Sequence, residues 1–215
     1  AVVEVKVVMK RILFQGDSIT DASRSRTDDR WMGEGYSTLV DAKMGYQYPN
    51  EYEFINRGIS GNRVVDLLAR VKCDIINLKP DYMSILIGVN DVWHEIDMQN
   101  GVSAERYEQI YNMLLEEIRE SLPNLKIMIL EPFVLPGPAT KEHWEEFHSE
   151  VPKRAAAAQR IANKFQLPFI SLQDKFDEAA KLAPAEYWLI DGVHPTHAGH
   201  ELIAREWIKT FETIK

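Results

Sequence analysis

The hydrophobic positions along the chain alternate between short apolar runs and longer stretches with an apolar residue every three or four positions. Short runs are typical of buried strands, and the longer spacing predicts amphipathic helices. Strands are predicted at 11–15, 52–56, 82–87, 126–130 and 168–171, and helices at 64–78, 104–122, 152–165 and after Thr196. This alternation predicts an α/β fold in which helices cover both faces of a parallel sheet.

Two segments do not fit this alternation, residues 20–35 and the proline-rich residues 131–151. Long irregular segments in a compact domain are often functional. The first eight residues, AVVEVKVV, precede a Met-Lys-Arg start of bacterial type. We expect residues 1–8 to be an expression remnant or N-terminal extension able to pair along a sheet edge, and 9–215 to form a single domain.

The composition narrows the classes of function. The chain has 215 residues, 45% of them hydrophobic and 27% charged, and a net charge of −8. The acidic net charge does not favour a nucleic-acid partner, because proteins that bind nucleic acids need a basic face. No apolar stretch approaches the ~20 residues of a membrane span, and no export signal is visible. We therefore predict a cytoplasmic protein without a membrane partner, and its single cysteine, Cys73, is expected to be a buried thiol.

Three of the predicted strands are followed directly by small polar turns. These turns are GDS at 16–18, RGISGN at 57–62 and GVND at 88–91. In an open parallel sheet, ligands bind beyond the carboxyl ends of the strands. If the strand order is 2-1-3-4-5, the three turns are neighbours at one end of the sheet, and together they predict a site there.

Ser18 in the first turn needs a base to become a nucleophile. A histidine usually serves as that base, held in the correct tautomer by a carboxylate. Asp191 and His194 lie three residues apart in the C-terminal stretch LIDGVHPTHAGH, and Pro195 disfavours helix at His194. This spacing lets the carboxylate reach Nδ1 of the ring and leaves Nε2 directed towards the strand ends.

The segments GDSITD, GISGN, GVND and DGVHP, in this order and at these distances, resemble the four sequence blocks of the SGNH (GDSL) hydrolase superfamily. The resemblance spans residues 13–200. It implies a flavodoxin-like, five-stranded parallel sheet in a three-layer α/β/α fold, and ester hydrolysis through an acyl-serine without a cofactor or metal. By position it implies Ser18 as nucleophile, His194 as base and Asp191 as its orienting carboxylate. An oxyanion hole would combine the N–H groups of Ser18 and Gly58 with the side-chain amide of Asn90.

Within the superfamily, RGISGN, IGVNDVW and VHPTHAGH resemble a branch of intracellular bacterial esterases that remove acetyl groups from xylo-oligosaccharides. This resemblance implies hydrolysis of short acetyl esters on sugars, and it leaves assembly into a homo-oligomer open. Residues 1–8 and the loop 131–151 are candidate contact surfaces for such assembly. Candidate substrate-binding residues are Asp17, Asn62, Trp93, Trp31 and Trp188.

Other interpretations remain open from the residues alone. A lysophospholipase or thioesterase would need an apolar acyl channel near Ser18. A metal-dependent phosphoester hydrolase could use His194, His197 and His200, at three-residue intervals, with Asp191, although His197 and His200 are expected on a helix and His194 outside it. A non-catalytic binding domain would leave the serine, histidine and aspartate unexplained. Asp17 and Asp91 are interpreted as carboxylates that fix their own loops.

Overall fold

A computed structural model describes residues 8–215 of the chain. The strands in this part form one parallel sheet in the order β2-β1-β3-β4-β5. The predicted α/β fold and strand order are therefore confirmed. The strands are β1 (Lys10–Gly16), β2 (Tyr52–Asn56), β3 (Tyr82–Leu86), β4 (Lys126–Leu130) and β5 (Phe169–Ile170).

Helices connect the strands and cover the sheet. They are α1 (Ser18–Asp21), α2 (Tyr36–Gln47), α3 (Val64–Ala69), α4 (Val71–Asp74), α5 (Val89–Met98), α6 (Ala104–Ser121), α7 (Trp144–Lys164), α8 (Gln173–Ala179), α9 (Ala185–Trp188) and α10 (His197–Phe211). Short 3-10 helices span Ile76–Leu78 and Lys141–His143.

The sheet is buried on both faces, which explains why its strands read as apolar runs rather than as alternating patterns. On one face α2 and α10 pack together through Met44, Trp207 and Phe211. On the other face α3, α6 and α7 supply side chains such as Leu67 and Ile161. All five residues of β3 are buried, so the carboxyl end of this strand lies at the centre of the fold.

The predicted helix 64–78 is broken into three short segments. Arg70 leaves the helical region, with φ −113° and ψ 19°, and its side chain bonds the carbonyl oxygens of Arg57 and Gly16. Because of this break, the turn that follows is oriented differently from a continuous helix, and Cys73 is exposed. The prediction of a buried thiol was wrong.

Helix α7 begins at Trp144, well before the predicted start at residue 152, so part of the proline-rich segment is helical. Pro152 lies inside this helix on its exposed side. There the carbonyl group that loses its N–H partner can be hydrated. Helices α2 and α5 were not predicted at all. The buried positions of α2 are Tyr36, Ser37, Val40 and Met44. Because one of them is a serine, the pattern of apolar residues does not reveal an amphipathic helix.

None of the helices between residues 8 and 215 has the length and apolar character that crossing a bilayer requires. The predictions for residues 1–8, including the sheet-edge pairing, fall on a segment of which residues 1–7 lie outside the described residues.

Candidate active site

Ser18 is the first residue of α1 and follows the end of the inner strand β1. Asp17 caps this helix, since its carboxylate accepts the N–H of Ile19 at 3.0 Å. The turn packs so closely on β3 that a Cβ atom at Gly16 would lie 2.5 Å from the carbonyl oxygen of Leu86. Within residues 8–215 the N–H of Ser18 has no hydrogen-bond partner. The turn therefore presents both the hydroxyl and the backbone N–H of Ser18.

His194 lies beside Ser18 although 176 positions separate them in the chain. Its Nε2 is 2.9 Å from the Ser18 Oγ, and its Nδ1 is 2.6 Å from Oδ2 of Asp191. The other carboxylate oxygen of Asp191 accepts the backbone N–H groups of Val193 and His194, at 2.9 and 2.8 Å. These backbone bonds fix the carboxylate, so the ring is held with Nδ1 as donor and Nε2 facing the serine.

The hydrogen bonds of this pair set its charge states. Burial opposes ionisation of Asp191, but the bonds from the His194 ring and from two backbone N–H groups outweigh it and lower the pKa of Asp191 to about 2. The bond to Asp191 raises the pKa of His194 above its ordinary value, against the opposing effect of partial burial. Asp191 is thus a carboxylate across the physiological range, and it strengthens the basicity of the histidine.

Asn90 lies in the first turn of α5, directly after the loop that follows β3, and is 5% exposed. One hydrogen of its side-chain amide goes to the carbonyl oxygen of Asn62 at 3.1 Å. An amide carries two donor hydrogens, so the second is left for a ligand. The bond to Asn62 also ties the loop after β2 to the loop after β3.

Gly58 does not have the donor role predicted for it, because its N–H already donates to Oδ1 of Asn56 at 2.9 Å. A Cβ atom at Gly58 would lie 2.4 Å from the backbone nitrogen of Asp21, so this glycine serves close packing. Gly61 has a free N–H within the described part of the chain and a φ of +85°. A Cβ atom there would meet nothing nearer than His94 at 4.0 Å. Gly61 is therefore the glycine of this loop with an available donor.

A cleft of about 560 Å³ opens at the serine and the histidine. Small and polar side chains dominate its lining, which also includes Ile19 and Ile190. The lining residues are Ser18, Ile19, Ala22, Ser23, Glu34, Ser60, Ile190, His194, Pro195, Thr196, His197 and His200. Glu34, Ser60 and Ile190 were not singled out individually from the sequence, although Glu34 and Ser60 lie in the segments 20–35 and 57–62 that the sequence analysis marked.

Comparison with known proteins agrees with this geometry. The model of the GDSL-like lipase/acylhydrolase family matches residues 14–202. The chain belongs to this family. It is 34% identical to an acetylxylan esterase of Geobacillus stearothermophilus over 96% of each chain. A carboxylic ester hydrolase is therefore the established class of this protein.

Solved structures of the GDSL family share the fold over nearly the whole chain. A GDSL-like lipase of Parabacteroides merdae superposes with a TM-score of 0.90 at 36% identity, covering 96% of this chain and 99% of that one. The acetylxylan esterase of Geobacillus stearothermophilus gives 0.84 at 32% identity, covering 95% of each chain. Structures of that esterase include catalytic mutants in which a serine, an aspartate or a histidine is replaced by alanine.

Two of the candidate substrate-binding residues of this GDSL hydrolase lie beside the catalytic groups. The ring of Trp93 is 5.8 Å from the ring of His194 and is half-buried against Phe147. Asn62 accepts from Asn90 through its carbonyl group and from Arg70 through its side chain. Asn62 therefore positions the side chain of Asn90, and Trp93 flanks the ring of His194.

None of the five candidates, including the other three, is among the residues that line the cleft. Asp17 is 1% exposed, and its carboxylate is used as the cap of α1; burial raises its pKa to about 7. Trp31 is exposed on the loop and lies outside the residues that line the cleft. Trp188 packs against the core, and its carbonyl oxygen accepts the N–H of Thr196 at 3.0 Å. Their role as substrate contacts stays a prediction, since Asp17 is used as a helix cap, Trp31 is exposed and Trp188 is half-buried.

Asp91 and His200 each have a structural partner. Asp91 is buried and accepts the N–H of Val64 at 3.1 Å, which confirms that it fixes the loop, and burial raises its pKa to about 8. His200 accepts the N–H of Tyr36 on Nδ1, and burial lowers its pKa to about 4. Residues 8–215 contain no group of three His, Cys, Asp or Glu side chains arranged to hold a metal ion.

Proposed function

We propose that this chain is a serine esterase that removes O-acetyl groups from xylo-oligosaccharides or related sugars through an acetyl-serine intermediate. The observation that carries the proposal is the chain of contacts from Ser18 to His194 to Asp191, at 2.9 and 2.6 Å. A serine hydroxyl becomes nucleophilic when a neighbouring base accepts its proton.

In the first half of the reaction His194 takes the proton of Ser18 as Oγ attacks the acetyl carbonyl carbon. The imidazolium formed is stabilised by the carboxylate of Asp191 and then gives the proton to the departing sugar oxygen. In the second half His194 takes a proton from water, the hydroxide attacks the acetyl-serine, and Ser18 regains its proton as acetate leaves.

Negative charge develops on the carbonyl oxygen in each tetrahedral intermediate. We assign its donors to the N–H groups of Ser18 and Gly61 and the side-chain amide of Asn90. The first two have no hydrogen-bond partner in residues 8–215, and Asn90 keeps one amide hydrogen uncommitted. Preorganised donors of this kind usually provide the largest share of transition-state stabilisation.

The choice of a sugar acetate follows from the cleft and from the related enzyme. The cleft is lined mainly by small and polar side chains, which suits a short acyl group and a hydroxylated alcohol. Aromatic rings such as Trp93 beside the histidine offer an apolar face to a sugar ring. A lysophospholipase or thioesterase would instead need a long apolar channel. The cytoplasmic location and self-association remain predictions.

The substrate class is tested by comparing kcat/KM for acetylated xylo-oligosaccharides with that for a long-chain acyl ester of the same alcohol. We expect clear preference for the acetyl sugars, and Ser18→Ala is the control that removes background hydrolysis. Preference for the long-chain ester would reject the carbohydrate assignment and favour the lipid alternative. Absence of any esterase activity would favour the binding domain.

A further inference from the structure

Arg24 is a buried arginine without an acidic partner. It is 9% exposed, its Nε donates to the carbonyl oxygen of Gly58 at 2.7 Å, and Nη1 donates to the carbonyl oxygen of Ser25 at 3.2 Å. No carboxylate in residues 8–215 forms an ion pair with it, and Nη2 has no hydrogen-bond partner there. A buried charge is costly unless a counter-charge balances it.

The neighbouring Arg70 shows how the chain satisfies a buried guanidinium when it does so by itself. Each nitrogen of Arg70 is bonded, to the Asn62 side chain, to the carbonyl oxygens of Arg57 and Gly16, and to the Asp74 carboxylate. Arg24 lies in the same cluster and has only carbonyl partners. Burial and the nearby Arg26 lower the pKa of Arg24, and the carboxylate of Asp21 offsets this only in part.

Arg24 lines a pocket open to solvent, here called the arginine pocket. The pocket has a volume of about 340 Å³ and is lined by Arg24, Arg26, Thr27, Asp29, Arg57 and Asp74. Arg57 pairs with Asp29 and Asp74. Arg26 pairs with Asp21, which is buried and does not line the pocket. Each carboxylate at the pocket is thus engaged by an arginine other than Arg24.

We propose that the arginine pocket binds a small ligand through its oxyanion group, a carboxylate or a phosphate, with Arg24 as the principal partner. An arginine fork matches the geometry of both groups and can bind them through two parallel hydrogen bonds. The ligand supplies the counter-charge that Arg24 lacks. The half-exposed Arg26 turns towards the ligand from the rim.

The pocket is linked to the catalytic cleft through Asp21. The carboxylate of Asp21 accepts both the guanidinium of Arg26 and the backbone N–H and hydroxyl of Ser60, at 2.9 and 3.0 Å. Ser60 lines the cleft and precedes Gly61. A ligand that draws Arg26 away from Asp21 therefore acts on the loop that carries a proposed oxyanion donor.

Binding is tested by isothermal titration calorimetry of the full chain with inorganic phosphate and, separately, with glucuronate, at constant ionic strength. We expect saturable binding of one equivalent of at least one of them. Arg24→Gln and Arg26→Gln should each weaken it by about tenfold or more. Arg30→Gln is the matched control, since Arg30 is on the same loop, is 85% exposed in its side chain and does not line the pocket; it should bind like the parent chain.

The two ligands distinguish the source of the oxyanion. Tighter binding of phosphate assigns a phosphate ligand, and tighter binding of glucuronate assigns a carboxylate. If Arg24→Gln fails to fold, as judged by circular dichroism, Arg26→Gln decides the result. The proposal is overturned if neither ligand saturates at about 10 mM, well above a 1 mM dissociation constant, or if Arg30→Gln weakens binding as much as Arg26→Gln. The measurement does not depend on esterase activity.

Discussion

The catalytic cleft and the arginine pocket are linked through the carboxylate of Asp21, which bonds Ser60 of one and Arg26 of the other, but they balance their charges differently. In the cleft the chain supplies both members of the charged pair, because the carboxylate of Asp191 accepts two hydrogen bonds from His194 and a third from the N–H of Val193. In the arginine pocket the buried Arg24 has no acidic partner among the described residues. An internally balanced site suits an uncharged ester, whereas an unbalanced site suits a charged ligand.

The largest expected effect is that of Ser18→Ala. Removing the nucleophile should lower kcat for p-nitrophenyl acetate by at least about four orders of magnitude. The fold and the arginine pocket should be unchanged, since His194 is the one hydrogen-bond partner of the Ser18 hydroxyl among residues 8–215. Thermal unfolding and phosphate titration of the variant check this separation. A loss of less than about tenfold would contradict the assignment of the nucleophile.

Replacing Asp191 removes the carboxylate that bonds His194 and raises the pKa of its ring. His194 must be neutral to act as a base, and its pKa lies above the ordinary value because of Asp191. The acidic limb of the pH–rate profile of the parent chain should therefore lie above about pH 6.5. Asp191→Asn should move this limb to lower pH and reduce kcat by about three to four orders of magnitude. An unmoved limb would show that another group titrates.

Asn90→Ala removes one proposed donor and leaves the serine and histidine in place. We expect kcat to fall by about two to three orders of magnitude with a smaller change in KM. Asn112 is the matched control, because in the described part of the chain its side chain bonds Lys164 alone, on the surface. Equal effects of Asn90→Ala and Asn112→Ala would remove Asn90 from the oxyanion hole.

The smallest expected effect concerns the sugar. Trp93→Ala should lower kcat/KM for acetylated xylo-oligosaccharides by about threefold to tenfold, the range of an aromatic contact. The effect on p-nitrophenyl acetate should be smaller, because this ester carries no sugar ring. Trp31→Ala is the control, since Trp31 is 69% exposed and outside the cleft. A larger loss with Trp31→Ala would place the sugar on that loop instead.

The sequence was sufficient to predict the groups that depend on strand ends and short spacing. Ser18 follows a strand whose apolar run is clear, and Asp191 and His194 are close enough in one turn to pair whatever the rest of the fold does. The strand order then brings the turns together. These features depend on local patterns and on the topology of a parallel sheet.

The sequence was not sufficient where a side-chain hydrogen bond decides which backbone N–H group is free to bind a ligand. Gly58 and Gly61 lie in one block, and only the hydrogen bond from Gly58 to Asn56 shows that the Gly58 N–H is occupied. The signal in the sequence was Asn56 at the end of β2, an asparagine able to accept a backbone N–H two residues later. Cys73 was misassigned because Arg70 breaks the helix in order to bond distant carbonyl groups. The lack of an acidic partner for Arg24 could not be predicted either, because it depends on how the other charged residues of the arginine pocket pair with one another.

The central claim is that Ser18 is the nucleophile activated by His194 and Asp191. Its most direct test is mass-spectrometric mapping of the chain after reaction with a fluorophosphonate, which labels activated serines. We predict one label, on Ser18, absent from Ser18→Ala and formed far more slowly in Asp191→Asn. Loss of activity with the label on any other residue, or equal labelling of Asp191→Asn and the parent chain, would contradict the account.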